Sequence, residues 1–113
     1  MSAAKRRVPR RKINRPVGLL FKGEYLVERV FQVGEGGLMV SSVTPLAAED
    51  RVLITFSLQG EGFITSKATI RYEVKEGSQN FYGLEFDELP FQARREIRSF
   101  VASHSRGPKN FKD

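Results

Sequence analysis

Four arginines near the N-terminus are spaced so that their guanidinium groups can converge on one anion. Two overlapping Arg-x-x-x-Arg pairs are formed by Arg6, Arg7, Arg10 and Arg11. Arginine suits the recognition of phosphates and of guanine, because its planar fork donates paired hydrogen bonds and its flat face stacks on bases. Pro9 disfavours a helical Val8, so we expect a turn or an extended path. The segment is therefore a candidate arm for binding a compact anion.

A second candidate site is the glycine-rich segment that runs from Gln32 to Val40. Its glycines allow positive φ angles, a β-bulge, or the close approach of a ligand to the backbone. It is not a phosphate loop, because no Lys-Ser/Thr pair follows, and it is not a dinucleotide fingerprint, because no helix follows. On its own it also fits a plain bulged turn between two strands.

The positive charge of the chain is concentrated in the arm. Residues 1–15 contain seven Lys and Arg and no acid, while the whole chain has a net charge of +6, which leaves −1 for everything after residue 15. A protein dedicated to duplex nucleic acid would carry a basic face on its body. The arm alone remains compatible with a solvated tail or a nonspecific nucleic-acid arm.

Composition argues against several other classes of protein. The chain has no Cys, which excludes disulfides and thiolate metal sites, and a single His, His104. No nucleophile or acid–base pair stands beside a base, so we do not expect an enzyme. No apolar run approaches the ~20 residues that span a bilayer, and the N-terminus lacks the apolar core of a secretory signal. We expect a cytoplasmic protein without membrane insertion.

The elements that must position these residues are mostly strands. Apolar residues alternate in six short segments with turns every 8–12 residues or so, which predicts a small antiparallel barrel or sandwich. In residues 64–74 the pattern predicts that Tyr72 and Val74 face inwards. After Pro90, helical spacing predicts one amphipathic helix. We assign residues 1–15 to a flexible arm, 16–103 to the barrel and helix, and 104–113 to a disordered tail.

Together these segments resemble the PilZ domain family of bacterial cyclic di-GMP receptors over nearly the whole chain. Residues 6–10 are similar to the family's Arg-x-x-x-Arg segment, and Gln32–Val40 is similar to its Asp/Asn-x-Ser-x-x-Gly motif. Further similarity lies at Pro16-Val17, in the late strands at 68–72 and 82–86, and in the closing helix.

The resemblance implies a mainly β fold, a six-stranded antiparallel β-barrel with one C-terminal α-helix. It implies cyclic di-GMP as the ligand, no other cofactor, and an effector protein as the partner. The ligand would be held by Arg6, Arg7, Arg10, Gln32, Gly34 and Gly37. The arm would clamp the dinucleotide onto the barrel and so remodel the surface that the effector meets.

Two positions depart from the family's motif. Gln32 stands where the family has Asp or Asn, and Gly34 stands where it has Ser. Losing a charged and a neutral hydrogen bond would cost about 2–4.5 kcal/mol, or about 30-fold to a few thousand-fold in affinity. One alternative is therefore a degenerate PilZ-like adaptor that binds protein without the nucleotide. Another is a small RNA- or DNA-binding barrel, which the nearly neutral body disfavours.

Overall fold

Six strands and one helix make up the described part of the chain. The computed structural model describes residues 9–58 and 62–106, with side chains up to residue 103. The elements are β1 (Arg10–Phe21), β2 (Glu24–Gly34), β3 (Gly37–Ser41), β4 (Arg51–Phe56), β5 (Ile64–Glu76), β6 (Gln79–Phe86) and α1 (Phe91–Arg106). The strands are antiparallel in the order β1-β2-β3-β6-β5-β4, and β4 pairs with β1 to close the barrel. The predicted fold class is confirmed.

Alternating apolar residues fill the interior of the barrel. The buried side chains include Val17, Leu19, Val30, Val40, Ile54, Phe56, Ile70 and Leu84. Tyr82 is also fully buried, and its hydroxyl accepts a hydrogen bond from the Leu46 backbone N–H and donates one to Glu73 Oε2, each at 3.3 Å. The polar tip of this core residue is thus satisfied, as burial requires.

A β-bulge in β5 turns part of that strand outwards. Arg71 has no partner on β6, although Ile70 before it and Tyr72 after it are both paired. An inserted residue reverses the inward and outward alternation beyond it. Tyr72 and Val74 are consequently 44% and 40% exposed on the outer surface. The prediction that they face inwards was wrong, because the period-two pattern contains no sign of the bulge.

The first strand begins at Arg10 rather than at Pro16, where the sequence analysis placed the boundary of the barrel. Arg10 pairs with Gly34, the last residue of β2. Because β2 extends that far, pairing satisfies backbone groups that would otherwise need water. Residues 10–15, which we assigned to the flexible arm, are therefore part of the sheet.

The helix α1 packs against β1 and β2. Its buried face is formed by Ile97, Phe100 and Val101. Arg11 Nη1 donates to the Phe100 carbonyl oxygen at 3.0 Å, and its guanidinium lies 3.8 Å from the Phe100 ring centroid, a cation–π contact. The helix continues to Arg106, so the predicted tail at 104–113 begins inside α1, and its last residues, 107–113, lie outside the described chain.

Replacing Gly37 by alanine should destabilise the barrel. A Cβ at Gly37 would overlap the Leu84 carbonyl oxygen, a backbone atom that can move only if β3 separates from β6. We expect the free energy of unfolding, measured by urea denaturation, to fall by about 1–3 kcal/mol.

Gly36→Ala is the matched control for this substitution. No atom lies within 4 Å of a Cβ at Gly36, and that glycine has no positive φ angle. We expect the control to change the free energy of unfolding by less than about 0.5 kcal/mol. Equal stability of the two variants would contradict the steric role of Gly37.

Candidate functional site

The predicted site residues that the structure describes line one cleft on the outer face of the barrel. The cleft has a volume of about 250 Å³ and crosses β1, β2, β3, β6 and β5 in turn. Its lining includes Arg10, Gln32, Gly34 and Gly37. Arg6 and Arg7, the other two predicted residues, lie outside the described residues. Positions from three strands are thus brought to one place.

The first wall of the cleft carries hydrogen-bond donors. Arg10 lies opposite Gly34 and Lys12 lies opposite Gln32 in the ladder between β1 and β2, so Arg10 and Gln32 are diagonal neighbours. Arg10 Nη1 donates to Gln32 Oε1 at 3.3 Å. Because the amide oxygen is engaged there, Gln32 retains its two amide N–H groups as donors. This wall suits an acceptor such as a phosphate oxygen or guanine O6.

The floor of the cleft is formed by glycine backbone together with Met39 of β3. A Cβ at Gly34 would lie 2.9 Å from the Pro9 carbonyl oxygen and 3.3 Å from Arg10 Cγ. The missing side chain at Gly34 therefore lets the beginning of β1 lie close to β2. At Gly37 the same close approach occurs between β3 and β6. Gly36, which also lines the cleft, is the open position: no atom lies within 4 Å of a Cβ there, so a ligand can approach its backbone closely.

An aromatic ring forms part of the second wall. Tyr72, which the bulge turns outwards, sits directly above Gly83 of β6, and a Cβ at Gly83 would overlap the ring. Covering a strand glycine with a cross-strand aromatic ring stabilises a sheet. It also leaves an exposed aromatic surface beside the cleft, of the kind on which nucleobases stack.

An ion-pair network forms the rest of the second wall. Arg71 Nε donates to Glu85 Oε1 at 2.6 Å, and Arg71 Nη1 donates to Glu49 Oε1 at 2.8 Å. The hydrogen bonds that Arg71 donates raise its pKa above its usual value, and the bond to Glu85 has a larger effect than the bond to Glu49. The guanidinium stays charged and holds both carboxylates in place.

A second ion pair connects the glycine segment to α1. Arg98 Nε donates to Glu35 Oε2 at 2.8 Å, and Arg98 Nη2 donates to Glu35 Oε1 at 3.2 Å. The hydrogen bond from Arg98 lowers the pKa of Glu35, and this effect outweighs the opposing effect of burial. Glu35 lies between two glycines that line the cleft, so the helix is attached to the site itself.

Sequence reasoning missed the residues of the second wall. These are Arg71, Tyr72, Gly83 and Glu85. An isolated glycine inside a strand pattern indicates close approach of another group, so Gly83 did carry a signal. Arg71 and Tyr72 carried none, because the bulge that places them depends on pairing between distant strands.

The groups that line the cleft have the chemistry needed to bind an anion that carries planar, polar bases. It combines guanidinium and amide donors, a carboxylate acceptor and an aromatic surface. Within residues 9–58 and 62–106, no group of three or more His, Cys, Asp or Glu is placed to hold a metal ion. In that part of the chain, no helix has the length and apolar character needed to cross a bilayer.

Comparison with protein-family models gives one match. The model described as the PilZ domain covers residues 4–103. The match includes both predicted motifs and every strand, and it reaches into α1. No curated protein sequence matches the chain.

Solved structures with the same fold have low sequence identity to this chain. The Bacillus subtilis inhibitor of motility, MotI/DgrA, superposes with a TM-score of 0.83 at 13% identity over 95% of this chain and 53% of its own. Escherichia coli YcgR in complex with c-di-GMP superposes with a TM-score of 0.75 at 17% identity, over 90% of this chain and 46% of its own. The K. pneumonia MrkH–c-di-GMP complex superposes with a TM-score of 0.75 at 17% identity, over 95% of this chain and 55% of its own. The chain spans about half the length of these three proteins.

The Glu35–Arg98 pair should make stability fall on acidification. Arg98 lowers the folded-state pKa of Glu35 below its ordinary 4.5, so the stabilisation is present above that value and is lost as pH falls through the lowered pKa. For a partly exposed pair we expect about 0.2–1 kcal/mol. Urea unfolding of the wild type and of Glu35→Gln at about pH 7 and about pH 3 measures the difference.

Glu96→Gln serves as the control, because Glu96 is exposed on α1 and has no ion-pair partner among the described residues. The wild type and Glu96→Gln should lose more stability between the two pH values than Glu35→Gln does. If Glu35→Gln loses as much as the wild type, the ion pair contributes nothing.

Proposed function

The chain belongs to the PilZ domain family, and we propose that it is a non-enzymatic receptor for cyclic di-GMP that acts as a signalling adaptor. Two proteins of similar fold, YcgR and MrkH, were solved as complexes with c-di-GMP. At this low identity the similarity shows a shared fold but not a shared ligand, so the proposal depends on the cleft itself.

The observation that carries the proposal is the pairing of Arg10 with Gln32 at the edge of a glycine floor. The two side chains belong to the two motifs that the sequence analysis singled out, and they touch across β1 and β2. A guanidinium and amide N–H groups that have no other partner among the described residues can together receive one phosphate and the edge of an attached base.

The arm supplies the remaining cations in this proposal. Arg6 and Arg7 precede Arg10 by four and three residues, and an extended chain advances about 3.3 Å per residue. Their guanidinium groups can therefore reach over a cleft whose edge is at Arg10. A ligand with two phosphates would neutralise several like charges at once and clamp the arm onto the barrel.

Gln32 and Gly34 change how the base is received. In this chain Gln32 Oε1 already accepts a hydrogen bond from Arg10, so Gln32 offers the ligand two amide N–H donors and one remaining acceptor position. Gly34 offers no hydroxyl, but its missing side chain admits the Pro9 backbone. We propose that contacts to the phosphates contribute a larger share of the binding free energy here than they would in a protein with the family's Asp/Asn-x-Ser-x-x-Gly motif.

On this proposal, the helix α1 transmits ligand binding to the effector protein. The ligand would rest beside Gly34 and Gly36, and these glycines flank Glu35, which holds Arg98 of α1. Any change in the glycine segment on binding would alter this attachment. We propose that the effector recognises the surface formed by the clamped arm and α1.

The alternative is a degenerate adaptor that binds protein without the nucleotide. The replacements at Gln32 and Gly34 favour it, since together they remove an acidic acceptor and a hydroxyl donor. On this alternative the cleft would stay empty, and a partner would bind at any nucleotide concentration.

We also propose that the protein acts in the cytoplasm, where a nucleotide receptor and its effector would meet. Neither membrane insertion nor recognition of duplex DNA or RNA is expected. The positive charge is concentrated in residues 1–15, of which 10–15 belong to β1, and the residues after 15 sum to −1, so the excess lies at one edge of the barrel and not over its whole surface.

Arg10→Ala should weaken binding of cyclic di-GMP measured by isothermal titration calorimetry. Loss of a charge-assisted hydrogen bond corresponds to about 10- to 150-fold in Kd. Arg95→Ala is the control, because it removes the same charge from an exposed position on α1 outside the cleft. Equal affinity of the two variants would exclude Arg10 from the site.

Substituting Arg6 and Arg7 together by alanine should also weaken binding, by about tenfold or more, if the arm clamps the ligand. The matched control is Arg94→Ala/Arg95→Ala, which removes two charges from α1. Calorimetry of both double variants makes the comparison. Unchanged affinity of the Arg6/Arg7 variant would remove the arm from the mechanism, and no heat in the wild type would favour the adaptor alternative.

A further inference from the structure

We infer that Glu85, on the second wall of the cleft, reads the hydrogen-bonding edge of a guanine base and so sets base selectivity. This inference rests on the proposed function, because it assigns a residue to one base of the same ligand. It supplies the acidic acceptor that Gln32 does not provide. The family motif has its acceptor on β2, whereas Glu85 lies on β6.

The position of Glu85 makes the contact possible. Glu85 is the direct ladder partner of Gly37, so its carboxylate stands beside the part of the floor that has no side chain. It lines the same cleft as Arg10 and Gln32, from the opposite side of β3. A ligand that places a phosphate at Arg10 can therefore extend a base across the floor towards Glu85.

The carboxylate of Glu85 is oriented and has acceptor capacity left. Arg71 Nε binds Oε1 at 2.6 Å, and Glu49 fixes Arg71 from the other side at 2.8 Å. Among the described residues, Oε2 of Glu85 has no hydrogen-bond partner. An ionised carboxylate has about four acceptor positions, of which Arg71 occupies one. The pairing also reduces the repulsion that a bare carboxylate would exert on an anionic ligand.

The chemistry of a carboxylate selects guanine over adenine. The Watson–Crick edge of guanine presents two adjacent donors, the N1–H and the exocyclic amino group, and a carboxylate can accept from both. Adenine presents an acceptor at N1, which a carboxylate repels. The amide of Gln32 both donates and accepts, so it can pair with either base. Arginine recognises the other edge of guanine, at O6 and N7, and Glu85 is the carboxylate placed to read the Watson–Crick edge.

Tyr72 supports the same base from below. Its ring covers Gly83, which lies two residues before Glu85 on the outer face of β6, and it is 44% exposed. Stacking on an aromatic ring contributes about 1–3 kcal/mol for any base, so it adds affinity without selectivity. In this inference Tyr72 stacks on the face of the base, and Glu85 accepts hydrogen bonds from its Watson–Crick edge.

The test compares three ligands that carry the same two phosphates. They are cyclic di-GMP, cyclic di-IMP, whose hypoxanthine bases lack the exocyclic amino group of guanine, and cyclic di-AMP. Affinities are measured by calorimetry on the full chain, on Glu85→Gln, and on Glu24→Gln, which removes the same charge at the exposed β1–β2 turn. Removing a negative charge affects all three ligands alike, so it cancels in the ratios of their Kd values.

We expect the wild type and Glu24→Gln to prefer cyclic di-GMP over both other ligands. In Glu85→Gln each preference should fall by about tenfold or more, the value of a hydrogen bond to a charged group. Thermal unfolding checks that the variant is folded. An unchanged ratio in Glu85→Gln, or an equal fall in Glu24→Gln, would overturn the role of Glu85 and leave the proposed function standing. If the wild type binds none of the three ligands, both proposals fail.

Discussion

Close contact at three glycines is the constraint on which the site depends. Gly34 admits the start of β1, Gly37 admits the carbonyl of Leu84, and Gly83 admits the ring of Tyr72. The outer face of a barrel is ordinarily covered by the side chains of its own strands, but at these three positions backbone (Gly34 and Gly37) or an aromatic ring (Gly83) already occupies the place of a side chain. The absence of side chains at these positions is thus a consequence of packing, and the polar groups lie around them.

The order of the strands then separates the two kinds of chemistry. Donors from β1 and β2 lie on one side of β3, and a carboxylate with an aromatic ring from β6 and β5 lies on the other. In a cyclic dinucleotide the phosphates require hydrogen-bond donors. The planar bases require an aromatic ring to stack on and a group that hydrogen-bonds to their edges. Ion pairs hold the walls in place: Arg71 pairs with Glu85 and with Glu49, which lies just before β4, and Arg98 of α1 pairs with Glu35.

Much of the fold was predictable because alternation of apolar residues is a local property. The strands, the helix after Pro90, and the two motifs on the first wall could all be found in the sequence. Tyr72 and Arg71 could not, because the β5 bulge is fixed only when that strand pairs with β6. The start of β1 at Arg10 was missed for a similar reason, since it follows from how far β2 extends. Gly83 was the one residue of the second wall with a readable signal.

The location of the ligand is the central claim, and an NMR titration of the ¹⁵N-labelled full chain with cyclic di-GMP tests it most directly. We expect the largest amide shift changes at Arg10, in residues 32–37, and at Gly83 and Glu85, with smaller changes along α1 near Arg98. Changes confined to α1 and the β4–β5 side, or no changes at saturating ligand, would contradict the assignment of this cleft as the nucleotide site.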